Sequence, residues 1–395
     1  MNIAIRGFAL CGLLLAACHS AVAEESPAKI SFKKTQLDNH FRSEGVAVAD
    51  FNKDGKLDIA AGSVWYSAPD WAMHVVAEEE KTYDPLGYSN SFANFADDIN
   101  GDGWADLVVV DFPGQQTWWF ENPQATDGKW KRHVGTPVTN NESPQYVDID
   151  GDGKRELLCA FSPDPKNTDG PEKQMAIITP AADPEKEWTL RAISAKNAEG
   201  CNRYSHGLGA GDINGDGRKD VVVPQGWWES PADANQAEWA FHPVNFGPAA
   251  ADMHIFDYDG DGDADVLSSS AHDYGIWWHE QKADGWETHE IEKTFSQTHA
   301  MCMADINGDG LPDFVTGKRW WAHGPGGDNG RDQPAVLHWF ELTRQDGKPA
   351  WIRHDIDNDS GMGTQFQLAD INGDGLIDVV TSNKKGVFCF EQVRE

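Results

Sequence analysis

The chain has 395 residues and a formal net charge of −32, from 64 acidic and 32 basic side chains. Because no basic stripe is present to displace counterions, this balance excludes nucleic acid as a partner. Beyond the N-terminal segment, no apolar run reaches the ~20 residues that a membrane span requires.

The N-terminus has the features of an export signal. Arg6 supplies a positive charge, residues 7–17 are apolar, and Ala21–Ala23 form an A-x-A cleavage site. The segment Leu15–Cys18 also resembles a bacterial lipobox, which would place a lipid anchor on Cys18. We therefore predict a signal peptide over 1–23 and an exported protein, periplasmic or extracellular, and leave simple cleavage and lipidation open.

One nine-residue pattern, D-x-(N/D)-x-D-G-x-x-(D/E), recurs seven times at intervals of 45 to 65 residues. Oxygen-bearing side chains at positions one, three, five and nine, with Gly at six for a sharp turn, suit Ca²⁺. An EF-hand closes at position twelve between helices, so this is a different loop. We predict up to seven structural Ca²⁺ ions, with these ligands: Asp50, Asn52, Asp54, Asp58; Asp98, Asn100, Asp102, Asp106; Asp148, Asp150, Asp152, Glu156; Asp212, Asn214, Asp216, Asp220; Asp257, Asp259, Asp261, Asp265; Asp305, Asn307, Asp309, Asp313; Asp370, Asn372, Asp374, Asp378.

Each repeat contains four short strand patterns. A first strand such as Val46–Ala49 leads into the Asp loop, and a second such as Val108–Val110 leaves it. The third is aromatic and ends in an acid, as in Trp118–Glu121, and the fourth follows a W-x-x-H pattern, as in Trp130–Val134. Short strands, four per unit and bounded by Gly, Pro and Asp, predict an all-β, seven-bladed propeller over 24–395.

The two ends of the chain predict how the ring closes. The last repeat stops after its third strand, Val387–Glu391, while Phe32–Leu37 fits the outer-strand pattern. We predict that the N-terminal strand is the outer strand of the last blade, because pairing there removes an open edge. We expect a monomer.

Two segments carry a family resemblance. Gly45–Asn52 and Ala210–Gly217 resemble FG-GAP/VCBS repeats, the calcium-loop propeller family that includes integrin heads, and the likeness covers about residues 30–395. More narrowly, Trp118–Asn122 and Gly317–His323 resemble the propeller domain of aldos-2-ulose dehydratases. That second resemblance implies metal-assisted elimination of water from a keto-sugar.

Topology separates the Asp loops from the candidate chemistry. If each first strand runs down to its Asp loop, the second-to-third connections and the entries to the first strands meet at the opposite end, which we call the mouth. His206 and His299 lie six residues before their Asp loops, where the other repeats carry Glu44, Phe92, Glu142, Ala251 and Thr364. The histidines of the W-x-x-H pattern recur and are predicted to pack.

The mouth of blades four to six is the predicted functional site. His206 or His299 would accept a proton, Tyr204 would protonate the leaving hydroxyl, and Trp227 and Trp320 would stack on sugar. Several imidazoles near carboxylates suit a transition ion such as Zn²⁺. The candidate catalytic residues are His206, His299, Tyr204, Arg203, Lys318 and Arg319, with His254 and His272 as candidate ligands of this second metal.

Three functions fit these residues. An exported lyase or dehydratase acting on an oxidised sugar, of keto or uronate type, explains the asymmetric mouth. A non-catalytic propeller that binds carbohydrate or protein explains the fold equally well. A glycoside hydrolase would need two carboxyl groups about 5–10 Å apart, for which Glu44, Glu142 and Asp252 are candidates.

Overall fold

A computed structural model describes residues 29–125, 128–233 and 236–395. The predicted signal segment 1–23, with Arg6 and Cys18, lies outside the described residues. The described chain forms seven four-stranded antiparallel sheets, each built from neighbouring strands in order from the axis outwards. The predicted seven-bladed propeller is therefore confirmed.

The first strand, β1 (Ile30–Asp38), belongs to the last blade, and the next four blades follow in chain order. Their strands are β2 (Ala47–Ala49), β3 (Asp58–Ala61), β4 (Val64–Ser67), β5 (Ala72–Val75); β6 (Ala93–Asp97), β7 (Asp106–Val110), β8 (Gln115–Glu121), β9 (Lys131–Thr139); β10 (Gln145–Val147), β11 (Glu156–Phe161), β12 (Gln174–Thr179), β13 (Thr189–Ala192); β14 (Gly209–Gly211), β15 (Asp220–Val223), β16 (Gly226–Glu229), β17 (Ala240–Pro243).

Blades five to seven complete the ring. Their strands are β18 (His254–Phe256), β19 (Asp265–Ser269), β20 (Tyr274–Lys282), β21 (Gly285–Ser296); β22 (Met301–Ala304), β23 (Asp313–Gly317), β24 (Leu337–Gln345), β25 (Lys348–Asp357); β26 (Phe366–Ala369), β27 (Asp378–Asn383), β28 (Gly386–Arg394). A three-residue 3₁₀ helix, Gly324–Gly326, lies in the β23–β24 connection. No helix among the described residues is long and apolar enough to cross a membrane.

The core is a ring of clusters between blades. The second strands are the most apolar, and β15 is buried at every residue because a neighbouring blade covers each of its faces. Leu158 of blade three packs with Val221 of blade four, and Val108 of blade two packs with Leu157 of blade three. Each blade therefore depends on both neighbours, and an open ring would expose apolar faces.

The N-terminal strand closes the ring as predicted. β1 pairs antiparallel with β28, from Ile30 opposite Arg394 to Asp38 opposite Val387. The backbone of Lys29 exchanges two hydrogen bonds with that of Glu395, each 3.0 Å long. The last blade thus joins both ends of the described chain.

Deleting residues 30–38 should open the last blade. Without β1, the apolar strand β28 becomes an unpaired edge, and such edges template aggregation. We expect the shortened protein to aggregate or to lose its single cooperative thermal transition, measured by size-exclusion chromatography and circular dichroism. A chain that begins at Lys29 keeps the strand and is the control. A deleted protein that stays monomeric with an unaltered melting curve would contradict this closure.

Candidate metal centre at the mouth

Three histidines from blades four, five and six meet at the mouth. His206 and His299 precede the inner strands β14 and β22, and His272 lies on the β19–β20 connection. Their ring centroids are 4.6 Å (His206–His272), 5.1 Å (His272–His299) and 5.3 Å (His206–His299) apart. One ring nitrogen of each lies within 4.8 Å of those of the other two. Three short connections thus bring three imidazoles to one point.

Backbone carbonyls fix the tautomers of two of these rings. The Nδ1 atom of His206 lies 2.8 Å from the Tyr204 carbonyl oxygen, and that of His299 lies 3.2 Å from the Gln297 carbonyl oxygen. Because a carbonyl only accepts, each Nδ1 carries a proton, and the neutral form of each ring presents a lone pair at Nε2. Both Nε2 atoms are buried; that of His299 has no hydrogen-bond partner, and that of His206 faces an oxygen of Glu142. Burial and the nearby Arg319 lower the pKa of His299, which keeps it neutral.

The donor set suits a divalent transition ion. Metal-binding histidines commonly donate the second ring nitrogen to a carbonyl or carboxylate, as these do. Bonds of about 2.0–2.1 Å to one ion would draw the three ring nitrogens closer together than the limit of 4.8 Å within which they lie here. An unpartnered buried nitrogen, such as the Nε2 of His299, is otherwise costly, so the residues fit the Zn²⁺-like metal that the sequence suggests.

A buried ion-pair network adjoins the histidines. An oxygen of Glu142 lies 3.3 Å from His206 Nε2 and accepts a hydrogen bond of 3.1 Å from Arg319, whose other terminal nitrogen donates to Glu44 at 2.7 Å. Burial alone would raise the pKa of Glu142, but His206 and Arg319 outweigh it and hold that pKa well below its usual range. The Glu142 carboxylate thus faces the His206 ring at ion-pair distance, where it would also attract a bound cation.

The insertion between β23 and β24 brings an acid and a fourth histidine to the same place. Asp328 lies 3.3 Å from Nδ1 of His272 and 3.0 Å from Nδ1 of His323, and the two rings stack at 4.7 Å. Lys318 holds the insertion in place, because its Nζ donates to the carbonyl oxygens of Gly330, Arg331 and Gln333. Sequence reasoning missed Asp328, although it lies in the one Gly-rich segment that no other repeat contains.

Several predicted site residues are placed away from this centre or are bound structurally. His254 is partly buried with its Nε2 2.8 Å from the Met301 carbonyl oxygen, and no cluster of potential ligands found among the described residues includes it. Arg203 donates to the Pro113 carbonyl oxygen at 2.7 Å. Tyr204 is 48% exposed and packs beside Phe112. The predicted cations Lys318 and Arg319 are buried, and their terminal nitrogens donate to the carbonyl oxygens and carboxylates described above.

The carboxylates considered for glycoside hydrolysis already form ion pairs or hydrogen bonds with other groups of the protein. Arg319 binds both Glu44 and Glu142. Asp252 accepts from the Gln145 side chain at 2.6 Å and from the Met301 amide at 2.9 Å. The carboxyl pair that hydrolysis needs, one as acid and one as base or nucleophile, therefore has no support in this geometry.

The recurring histidines pack, as predicted. Each stacks on a tryptophan of the adjoining third strand, and four also contact the acid that ends it. His242, for example, lies 4.2 Å from the ring of Trp227 and 2.8 Å from a Glu229 oxygen. Trp227 is therefore blade packing and not a sugar platform, whereas Trp320 is half-buried beneath the Lys385 ammonium.

The seven Asp loops share one hydrogen-bond pattern. The first Asp accepts from the amide of the Gly at position six, as Asp50 does from Gly55 at 2.9 Å. The acid at position nine is buried and accepts from the amide at position two, as Asp58 does from Phe51 at 3.0 Å. Positions one, three and five stay close to solvent. Burial and neighbouring loop carboxylates raise the pKa of the ninth acid, to about 6 for Asp58 and to about 7 for Asp106.

Comparison with known proteins supports the repeat and the fold. Residues 98–159 and 257–316 match the FG-GAP-like repeat, and these segments hold the Asp loops that begin at Asp98, Asp148, Asp257 and Asp305. The chain therefore contains FG-GAP-like repeats. No curated protein sequence matches the chain significantly.

Solved structures share the fold at low identity. BBS1N, solved in complex with ARL6DN, has a TM-score of 0.50 at 10% identity, over 90% of this chain and 96% of that one. The rhamnogalacturonan lyase YesW has a TM-score of 0.43 at 14% identity, over 90% and 72%. An Agrocybe aegerita lectin that recognises non-reducing terminal N-acetylglucosamine has 0.43 at 15%, over 84% and 82%. At 10% identity the likeness to BBS1N concerns the fold alone.

Proposed function

We propose that this propeller of FG-GAP-like repeats is a metal-dependent lyase that acts on an oxidised sugar at the mouth of blades four to six. The observation that carries the proposal is the convergence of His206, His272 and His299, whose ring nitrogens lie within 4.8 Å of one another, with the Nε2 of His299 buried and unpartnered. The substrate class comes from the sequence resemblance to aldos-2-ulose dehydratases.

In this proposal His206, His272 and His299 hold the metal, and Glu142 lies beside it. A divalent transition ion there would supply Lewis acidity towards a sugar carbonyl, which makes the neighbouring C–H acidic enough to be removed. A ring nitrogen that binds a cation cannot also accept a proton. The proton-accepting role that the sequence suggests for His206 or His299 therefore passes to another group.

His323 is our choice for the proton acceptor. Asp328 accepts from its Nδ1, which leaves a lone pair at Nε2, and the side chain is 47% exposed at the mouth beside His272. His323 would take the proton from the carbon next to the carbonyl. It would then pass that proton to the departing hydroxyl, so that water leaves and a carbon–carbon double bond conjugated with the carbonyl remains. Tyr204 is no longer required as the acid.

The Asp loops have a separate role in the proposal. They lie at the opposite end of every blade from the mouth, and each gathers three or four carboxylates that repel one another. We propose that Ca²⁺ at these loops stabilises the ring without joining the chemistry. Export through the segment 1–23 would bring the chain to a compartment in which Ca²⁺ is available.

Turnover is tested by ultraviolet absorbance, because an elimination next to a carbonyl creates an absorbing enone. The Zn²⁺-loaded protein and its His323→Ala variant are incubated with a panel of keto-sugars and uronate oligosaccharides. We expect absorbance to rise with the wild type. The rate of that rise should be lower by about 10²-fold or more in His323→Ala. Binding of sugars without any turnover would overturn the lyase and favour a carbohydrate-binding propeller. Turnover that His323→Ala leaves unchanged would overturn the assigned base.

A further inference from the structure

Lys384 is a buried cation that no described residue neutralises directly. It follows β27 on the second-to-third connection of blade seven, and its side chain and backbone together are only 4% exposed. Its Nζ lies 4.4 Å from the ring centroid of Tyr88 and 6.0 Å from that of Phe41. Within the described chain, no carbonyl or carboxylate oxygen lies within hydrogen-bond or ion-pair distance of this ammonium.

A lysine on the corresponding connection of blade six shows what a satisfied lysine looks like in this fold. Lys318 follows β23 on the same kind of connection, and its Nζ donates to three backbone carbonyl oxygens. The Lys384 ammonium, on a residue largely withdrawn from water, has only the ring faces of Tyr88 and Phe41 as close partners. Lys384 therefore has unused capacity to bind an anion.

Lys384 belongs to the same mouth as the histidines. The Arg319 guanidinium lies 5.9 Å from the Tyr88 ring that Lys384 also contacts, and the Tyr88 hydroxyl donates to the Ala322 carbonyl oxygen at 3.0 Å. The nearby acids Glu44 and Glu142 are already bound to Arg319. Burial and the neighbouring Arg319 lower the pKa of Lys384 to about 8, so the ammonium remains mostly protonated at neutral pH.

We propose that Lys384 is an anion-binding group of the mouth, and that the substrate of the proposed lyase bears a carboxylate, as uronates and keto-aldonates do. The inference rests on the proposed function for the identity of the site. A carboxylate that pairs with Lys384 would place the rest of a sugar beside the Tyr88 ring and towards the histidines. The net charge of −32 repels anions at long range. Most of that charge is screened beyond about 8 Å at physiological salt, whereas a buried pair is screened much less.

Calorimetry on the Zn²⁺-loaded protein tests the inference independently of turnover. The probes are two acids, galacturonate and 2-keto-gluconate, and their neutral counterparts, galactose and fructose. We expect the wild type to prefer the acids, and Lys384→Gln to weaken acid binding by about 10-fold or more while neutral sugars are unaffected. Lys385→Gln is the matched control, because Lys385 pairs with Asp359. Lys384→Arg keeps the charge and should keep much of the preference.

The outcomes separate this inference from the proposed lyase. Equal binding of acids and neutral sugars by the wild type, or a preference that survives in a folded Lys384→Gln protein, would overturn the anion site. Acid binding that depends on Lys384 but gives no turnover would uphold the anion site and refute the lyase. Turnover of neutral sugars, with no preference for acids, would uphold the lyase and refute the anion site.

Discussion

Replacing His272 or His299 with alanine should weaken transition-metal binding by about 100-fold or more. Loss of a hydrogen-bonded outer partner of a metal ligand already costs 10–100-fold, so loss of one of three imidazoles should cost at least as much. The measurement is the Zn²⁺ that remains bound after dialysis at a buffered free concentration, with Ca²⁺ in excess to occupy the Asp loops. His299 is almost fully buried, whereas His272 is partly exposed, so His272→Ala carries less risk to folding.

His242→Ala is the control for the metal experiment. His242 also lies beside a carboxylate, 2.8 Å from a Glu229 oxygen, but it stacks on Trp227 far out on its blade. We expect this variant to retain the wild-type Zn²⁺ stoichiometry. If all three variants bind alike while remaining folded, the three mouth histidines are not the metal ligands.

Removing calcium should lower the melting temperature by about 10 °C or more, and adding Ca²⁺ should restore it. A filled site contributes about 2.7 kcal/mol when the free ion is 100-fold above its dissociation constant, and several sites act together. The measurement is thermal unfolding after treatment with EDTA, then after titration with Ca²⁺, with metal content checked at each step. A melting curve that does not move once bound metal is demonstrably gone would show that the loops need no cation.

The effect of calcium should also depend on pH. The buried ninth acids have raised pKa values in the fold, about 6 for Asp58 and about 7 for Asp106 and Asp313. Without metal, the folded state binds more protons than the unfolded state between about pH 4 and pH 7, so the metal-free protein should lose stability as pH rises through that window. Ca²⁺ binding requires ionised ligands, so its stabilising increment should be larger at about pH 8 than at about pH 5.5.

The repeat made the fold predictable from sequence. Seven copies of one loop set the number of blades, and the aromatic third strand with its W-x-x-H partner set four strands per blade. Even ring closure could be predicted, because Phe32–Leu37 fits an outer strand that the last repeat lacks. Because the same strand and loop pattern occurs in seven repeats, a wrong assignment of one strand does not change the predicted fold.

The site was only partly predictable, because its residues do not repeat from blade to blade. His206 and His299 could be picked out because they break the repeat at the axis. Nothing in the sequence reveals that Lys318 points back onto its own insertion, or that Arg319 is held between Glu44 and Glu142. The roles of Asp328, His323 and Lys384 do not emerge from the sequence, because they depend on distances between blades, which a linear pattern does not contain.

The central claim is that the mouth histidines form a transition-metal centre distinct from the Asp loops. X-ray absorption at the zinc edge, on protein loaded with a single equivalent of Zn²⁺ under excess Ca²⁺, tests it most directly. We predict imidazole scattering from about three nitrogen ligands at about 2.0–2.1 Å. A shell of oxygen ligands alone would place the ion in the Asp loops and contradict the claim.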